Sequence, residues 1–289
     1  MAPIVFVAVA GWQSVLLCLL FACIYVGSLY IWTDALHKNR DDPVTIKRRF
    51  MSVGVISVII PLLLRCFGTY SENEEAHELL VWLGVRFHGF LPALLFPLLL
   101  TMVLFMGPLG LHYMDGVFRI YLEPRYWTNS LKNLTWIRNH IVAPFSEEFI
   151  FRACMLPLLV PSFGEGYSVF ICPLFFGVAH IHHMIDRVIQ GQQPVGDAVK
   201  QTVFQMFYTT LFGAYSAFLF LRTGHLIAPV IAHAFCNHMG FPSFKEALGY
   251  PKPTRSKLVL CFIIGLLAWI ALVFPVTSPF LYANDVYSL

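Results

Sequence analysis

The chain has 289 residues, of which 58% are hydrophobic and only 12% are charged, and its mean hydropathy is +0.70. A soluble domain carries about 25% charged residues. The composition therefore excludes a soluble globular protein and indicates a chain that crosses a membrane several times. The net charge of +3 is too small to indicate a nucleic-acid partner.

Eight apolar stretches are candidate membrane spans, although several are shorter than the roughly 20 residues of a full crossing. In chain order they are Trp12–Trp32, Met51–Leu64, Phe87–Leu111, Ile141–Val160, Tyr167–Ile181, Thr202–Leu221, Leu226–Phe241 and Leu258–Val276. No internal repeat or low-complexity tract divides the sequence. We predict an all-α polytopic membrane protein with about eight transmembrane helices, folded as a single domain over residues 1–289.

The first stretch has no basic segment before it and continues past Trp12, so we expect a membrane span there and no cleaved signal peptide. The seven cysteines fall mostly inside apolar runs, and no two form a Cys-x-x-Cys pair. We predict buried thiols that pack as small hydrophobic groups, rather than disulfides or a metal site.

The segment Gly116–His140, between the third and fourth stretches, mixes charged residues with aromatic ones such as Trp127 and Trp136. This mixture is typical of a helix lying in the membrane interface. An ordinary loop fits the sequence equally well, and both interpretations stay open.

Lys and Arg predict which side of the membrane each connection faces. With eight alternating spans, 15 of the 19 basic residues fall in the connections that follow spans one, three, five and seven. Because cytosolic connections are enriched in Lys and Arg, we expect these four connections to face the cytosol and both termini to face the other side.

Three charged residues, Glu147, Glu148 and Arg152, lie inside the fourth stretch. Each ionised group at mid-membrane depth costs about 2.5–3.5 kcal/mol, so an intramembrane cluster of this kind is expected to be paired or functional. A spacing of four lets Glu148 and Arg152 pair on one helix face. Glu147 lies about 100° away on the helix and is free for chemistry. A purely structural ion pair between spans is the alternative.

Two further polar motifs lie at the ends of apolar stretches. His180 follows Phe176 by four residues at the end of the fifth stretch, and His182 and His183 come directly after it. Zinc sites on a helix use histidines at i and i+4, as in HExxH, and that spacing is absent here. We place His182 and His183 at the wet interface; His180 is either catalytic or a satisfied interfacial group.

His233 and Asn237 lie four residues apart on one face of the seventh stretch. A hydrogen bond between packed spans would explain them without any catalytic role. In the eight-span topology, however, Glu147, His180 and this pair all approach the cytosolic side. Glu147 lies about 9 Å deep at 1.5 Å per residue. We therefore predict one hydrated polar site open to the cytosol.

Such a site offers a carboxylate, two imidazoles and an amide, without an activated serine or cysteine. Glu147 can act as general base on a water molecule that His180 shares. His233 and Asn237 can donate hydrogen bonds to an oxyanion on a scissile carbonyl. The inferred chemistry is amide hydrolysis by an activated water, with no metal and no cofactor.

The three motifs, Glu147-Glu148-x3-Arg152, Phe176-x3-His180 and His233-x3-Asn237, resemble the pattern of the CAAX protease and bacteriocin-processing superfamily. Their flanks are similar to those of the eukaryotic type II CAAX prenyl endopeptidases, the Ras-converting enzymes. The similar segments are 25–30, 46–50, 144–157, 172–183 and 213–227. The resemblance covers most of the chain. One departure is the N-terminus, which is short for the family; a missing or truncated leader is the expectation.

This resemblance implies a multi-pass enzyme of the endoplasmic reticulum membrane, with its active site facing the cytosol, that removes the last three residues of prenylated CAAX proteins. It implies farnesylated or geranylgeranylated substrates, such as Ras-type GTPases, with the lipid bilayer as a further partner and no nucleic acid. The family's catalytic roles carry over to Glu147, His180, His233 and Asn237. Glu148 and Arg152 carry over as supporting residues.

Three other readings compete with this one. A polytopic transporter or proton-relay protein also uses intramembrane Glu and His, but it would be expected to show inverted repeats, which we do not find. A non-catalytic scaffold does not need the complete motif set. A metal-dependent protease is the alternative within the enzyme class.

Overall fold

The structure is a computed structural model that describes residues 2–32, 38–73 and 76–289. Within these ranges the protein is mostly helical, and a single antiparallel sheet pairs β1 (Ile4–Phe6) with β2 (Gly68–Tyr70). The helices are, in chain order, α1 (Gly11–Ser28), α2 (Pro43–Arg65), α3 (Leu79–Trp82), α4 (Phe90–Leu104), α5 (Met106–Met114), α6 (Val117–Tyr121), α7 (Pro124–Ser130), α8 (Leu134–Ile137), α9 (Ala143–Glu148), α10 (Leu156–Phe163), α11 (Glu165–Ala179), α12 (Ile181–Ile189), α13 (Val195–Thr223), α14 (Ile227–Met239), α15 (Phe244–Gly249) and α16 (Thr254–Val276). Two π-helical turns, Arg138–Val142 and Phe149–Cys154, flank α9, and a 3₁₀ turn covers Pro279–Tyr282.

Four described helices are long and apolar enough to cross a membrane: α1, α11 continued by α12, α13 and α16. The pair α4 and α5 makes a fifth if it is counted as one span, although it bends by 74°. The prediction of a mostly helical, multi-pass membrane protein is confirmed. The count of eight spans stays a prediction, because α14 has only 13 residues and the fourth predicted span is divided between α9, a π-helical turn and α10.

The helix α16 shows why the protein needs a lipid environment. Leu260, Leu267, Ile270 and Phe274 are all exposed on its surface, and its mean hydropathy over 18 residues is 2.8. A contiguous apolar surface of this kind is not tolerated by a soluble monomer, so the outer face of α16 contacts the hydrocarbon core of the bilayer.

The helices α11 and α13 pack closely through two glycines. A Cβ on Gly177 of α11 would lie 2.4 Å from Oγ1 of Thr210, and a Cβ on Gly213 of α13 would lie 2.6 Å from Cβ of Pro173. Small residues at a helix interface let two backbones approach in a membrane. This contact fixes α13 beside the motif that ends at His180.

The helix α2 begins at a defined cap. Asp42 accepts hydrogen bonds from the backbone N–H groups of Val44 and Thr45, both at 3.0 Å, and Pro43 takes the first helical position. These interactions are typical of a stable helix start. With 23 residues, α2 is about 35 Å long at 1.5 Å per residue. Its basic first turns and the β-sheet that follows its end therefore lie at opposite ends of the molecule.

The end of the molecule that carries the β-sheet is held by aromatic packing. Trp82 donates a hydrogen bond from Nε1 to the carbonyl of Ile4 at 2.9 Å. Its ring packs edge-on against Phe6 at 5.3 Å and against Tyr287 at 5.9 Å. The two chain ends therefore meet in one buried cluster.

The fold answers one question that the sequence left open. The segment Gly116–His140 forms the short helices α6, α7 and α8, and is not an irregular loop.

All seven cysteines are free. Three of them are buried, but Cys23 and Cys66 are exposed, so the prediction of buried thiols is wrong for these two. Cys23 lies in α1, and Cys66 is the residue that follows α2.

Candidate active site

Glu147 and Glu148 end α9, which lies between two π-helical turns. Pro144, near the start of α9, has no N–H to donate and so weakens the regular hydrogen-bond ladder there. Single π-helical turns are rare and occur often at functional sites. They change the direction in which successive side chains point, and this segment presents both carboxylates to the interior.

Glu148 lies fully buried at the centre of a polar network. Its Oε1 is 2.7 Å from Nδ1 of His233, and its Oε2 accepts a short hydrogen bond from the hydroxyl of Ser216. An ionised carboxylate only accepts hydrogen bonds, so Nδ1 of His233 carries a hydrogen. Nε2 of the same ring faces Glu147, 3.7 Å from its Oε2. His233 thus bridges the two carboxylates.

The predicted ion pair between Glu148 and Arg152 is present, with Nε of Arg152 3.2 Å from Oε2 of Glu148 and both side chains fully buried. The contact is an ion pair and does not have the geometry of a hydrogen bond. None of the three guanidinium nitrogens finds a hydrogen-bond acceptor among the described residues. The guanidinium carbon lies 4.5 Å from the centre of the Phe176 ring, a cation–π contact. The carboxylate and this ring are the features that stabilise the buried charge.

A cavity of about 110 Å³ opens beside Glu147. A water molecule needs roughly 10–15 Å³ of such space, so the cavity has room for several waters. Its polar lining consists of Tyr25, Arg40, Arg49, Arg138, Asn139, Ser146, Glu147, His180, His182 and His183. The predicted base and the first motif histidine therefore share one cavity.

His180 is held in a defined tautomer. Its Nδ1 is 2.7 Å from the carbonyl of Phe176, which can only accept, so Nδ1 carries the hydrogen. Nε2 of the neutral ring is then left with a lone pair for a proton acceptor role. The Phe176 ring, 4.6 Å away and edge-on, fixes the orientation of the imidazole.

Like His233, Glu148 and Arg152, Asn237 is a predicted site residue that does not line the cavity. It is exposed near the end of α14, one turn after the buried His233. Its side-chain amide donates to the backbone carbonyl of Asn139 at 2.9 Å. Because Asn139 itself lines the cavity, the amide of Asn237 lies at its margin.

Several residues near the site were not predicted. Ser216 and Tyr25 are single polar groups in apolar helices, and Tyr25 shares a 2.9 Å hydrogen bond with Ser146. His182 and His183 were placed at the interface, but both also line the cavity. Arg49 belongs to a run of basic residues, and in sequence such a run indicates membrane topology rather than a functional site. A buried hydroxyl or a cation turned inward has no pattern in sequence that separates it from its neighbours.

No group of three or more His, Cys, Asp or Glu side chains in the described ranges is arranged to hold a metal ion. Glu148 hydrogen-bonds to His233 and Ser216, and His180 and His182 hydrogen-bond to backbone carbonyls.

Comparison with known proteins gives a consistent answer. A family model described as type II CAAX prenyl endopeptidase, Rce1-like, matches residues 129–239. The chain is 47% identical to CAAX prenyl protease 2 of Homo sapiens over 279 residues, covering 94% of this chain and 84% of the human protein. For the proteins of the same name from Rattus norvegicus and Arabidopsis thaliana the identities are 42% and 33%, again over 94% of this chain and over 82% and 91% of theirs. No solved structure matches. On this similarity, the chain belongs to the Rce1-like family of type II CAAX prenyl endopeptidases.

Proposed function

We propose that this protein is a CAAX prenyl protease, an intramembrane endopeptidase that removes the C-terminal aaX tripeptide from prenylated CAAX proteins. The observation that carries the proposal is the cavity that Glu147 and His180 share in a membrane protein. Relatives that are similar over most of their length and named CAAX prenyl protease 2 support the substrate class.

Glu147 is the general base in this mechanism. It takes a proton from a water in the cavity while the lone pair of His180 Nε2 holds the same water, and the resulting hydroxide attacks the scissile carbonyl. General-base catalysis of this kind contributes about 10²–10⁴-fold. The proton then passes from Glu147 to the leaving amine as the tetrahedral intermediate collapses.

His233 and Asn237 stabilise the oxyanion. Nε2 of His233 already points to Glu147 across 3.7 Å, and it binds an oxyanion only when it carries a hydrogen. The amide of Asn237 donates one of its two hydrogens to the carbonyl of Asn139 and has to rotate toward the cavity to reach an oxyanion. Since Asn237 is exposed, this rotation needs no repacking of the core. Donors of this type are each worth about 10²–10³ in kcat.

Glu148 and Arg152 are supporting residues. Both are fully buried and neither lines the cavity, whereas Glu148 holds the Nδ1 side of His233. They orient the imidazole and do not contact the substrate.

The proposal includes a location and an orientation. The enzyme is one integral-membrane protease domain in the endoplasmic reticulum membrane, with its cavity facing the cytosol. The concentration of basic residues on one side of the predicted topology supports this orientation. Its substrates are farnesylated or geranylgeranylated CAAX proteins, including Ras-type GTPases. A prenyl chain in the bilayer raises the effective concentration of the attached tripeptide at the site.

The test is cleavage of a farnesylated CAAX peptide by the purified protein in lipid vesicles. We expect release of the tripeptide, and poor cleavage of the same peptide without the prenyl group. Glu147→Gln keeps the shape of the side chain but not its basicity, so the rate should fall by about 10²–10⁴-fold. Glu123→Gln, which removes an exposed carboxylate before α7, is the matched control. Near-normal turnover by a well-folded Glu147→Gln protein would overturn the assignment of the base.

A further inference from the structure

Three arginines, Arg40, Arg49 and Arg138, line the same cavity as Glu147 and His180. Arg138 already has partners for its guanidinium, and Arg40 is open to solvent. Arg138 forms an ion pair with the carboxylate of Asp41 at 2.8 Å and donates a hydrogen bond to the carbonyl of Arg40. The side chain of Arg40 is 44% exposed. Their charges make the cavity attractive to an anion, but neither guanidinium is both buried and free.

Arg49 differs from these two. It is only 9% exposed, and its Nε donates to no acceptor among the described residues. Among the described residues, the carboxylate paired with Arg49 is that of Asp186, whose Oδ2 lies 3.7 Å from Nη2, beyond hydrogen-bond distance. The guanidinium carbon lies 5.5 Å from the centre of the Tyr30 ring, and the hydroxyl of Tyr30 donates to Asp186 at 2.9 Å.

This arrangement holds the guanidinium in place without using all of its donors. Stacking on Tyr30 and the field of Asp186 orient the planar group at the cavity wall. A guanidinium presents its N–H groups as a rigid fork that matches a carboxylate, so an oriented arginine with a free donor is a preorganised carboxylate site.

We propose that Arg49 binds the α-carboxylate at the C-terminus of the substrate. The inference rests on the proposed function, because a CAAX substrate ends three residues after the bond that is cut. Three extended residues span about 10 Å, and Arg49 and Glu147 line the same cavity. A cation that holds the chain end sets which peptide bond meets the activated water. Arg49 is thus a specificity-determining residue: by binding the carboxylate, it places the peptide bond three residues before the C-terminus at the activated water.

A structural role for Arg49 is the competing explanation, since its ion pair with Asp186 connects α2 to α12. The two roles predict different effects of mutating Arg49. Loss of a structural tie lowers activity on every substrate by the same factor. Loss of a carboxylate site changes the preference for a free C-terminus over a blocked one.

The experiment compares two farnesylated CAAX peptides that differ only at the C-terminus, one with a free carboxylate and one with a carboxamide. A hydrogen-bonded charge pair lost from the transition state costs roughly 10–100-fold in kcat/KM. We expect the wild-type protein to prefer the free acid by this factor. In Arg49→Gln the preference should fall close to one, because the acid loses rate while the amide does not.

Arg48→Gln is the matched control. It removes the same charge from the adjacent residue of α2, whose guanidinium lies against Trp32 and not in the cavity, and should keep the wild-type preference. If Arg49→Gln fails to fold because Asp186 is left as a lone buried charge, Arg49→Gln/Asp186→Asn removes both charges and gives the same readout.

The possible results separate the two proposals. If the wild-type protein cleaves neither peptide, the proposed function fails. If it cleaves acid and amide equally well, the function stands and the carboxylate site is overturned. If the preference survives in the folded Arg49 variants, or is lost equally in Arg48→Gln, the assignment to Arg49 is overturned.

Discussion

Removing the charge of Glu148 is expected to be the most damaging single change in the polar network. Glu148→Gln keeps an acceptor for His233 but leaves Arg152 as an unneutralised guanidinium with 0% exposure. Breaking a buried ion pair from one side costs about 3–5 kcal/mol. No described residue offers Arg152 a hydrogen bond, so we expect the upper end, about 5 kcal/mol. That is a large part of the roughly 5–15 kcal/mol by which a typical protein is stable.

The reverse change is expected to cost less. Arg152→Met leaves Glu148 with its hydrogen bonds to His233 and Ser216, so we expect about 3 kcal/mol, the lower end of the same range. The double variant Glu148→Gln/Arg152→Met removes both charges, and replacing a buried ion pair with neutral groups is often close to neutral. It should therefore regain most of the stability, whereas the two single losses would sum to about 8 kcal/mol if they were independent.

Thermal unfolding in detergent, followed with a thiol-reactive dye, measures these differences. Cys154 and Cys172 are fully buried and react only after unfolding, whereas Cys23 and Cys66 are exposed and give the folded baseline. At about 2–4 °C per kcal/mol, Glu148→Gln should lower Tm by on the order of 10–20 °C. If the decreases in Tm of the two single variants simply add in the double variant, Glu148 and Arg152 do not stabilise each other and the prediction is wrong. A fully stable Arg152→Met protein that has lost only catalysis would place Arg152 in the catalytic group.

Three further outcomes are expected. Gly213→Ala would place a Cβ 2.8 Å from Nη2 of Arg152 and should cost about 1–3 kcal/mol in the same unfolding assay, whereas Gly54→Ala, with open space around it, should not destabilise. Asn237→Ala should keep the wild-type Tm because the side chain is exposed, yet lose about 10²–10³-fold in kcat on the farnesylated peptide; an unchanged kcat would remove Asn237 from the oxyanion site. The sequon at Asn133 should carry no glycan in microsomes, tested by endoglycosidase shift, because the proposed orientation places it in the cytosol; a glycan there would invert the topology.

The long elements of the fold were predictable because burial in lipid selects for continuous apolar composition. The helices α1, α13 and α16 overlap the spans expected from hydropathy. The bend between α4 and α5 and the two π-helical turns around α9 were not predicted. These features change the local hydrogen-bond pattern within segments that stay apolar. The composition of the segments therefore does not predict them.

The chemistry-bearing residues were predictable because charge is expensive in a membrane. Glu148 and Arg152 pair as their spacing indicated, and Glu147 and His180 share a cavity. Arg49 was not singled out, since in sequence it is one of three consecutive basic residues that also serve as a topology signal. Only the three-dimensional packing of α2 distinguishes the cation that turns inward from those that face water.

The charge balance of the network also bears on the proposed mechanism. With both carboxylates ionised and His233 neutral, the cluster of Glu147, Glu148, Arg152 and His233 carries one excess negative charge, in a place where an isolated ion costs several kcal/mol. Proton transfer from the cavity water to Glu147 removes that excess and creates the hydroxide beside the scissile carbonyl instead. The negative charge then moves onto the oxyanion that forms from the carbonyl. A Gln at position 147 abolishes the excess charge together with the base, so Glu147→Gln should be at least as stable as the wild type while its turnover is lost. Stability and turnover that fall together in this variant would show that Glu147 is held mainly for packing.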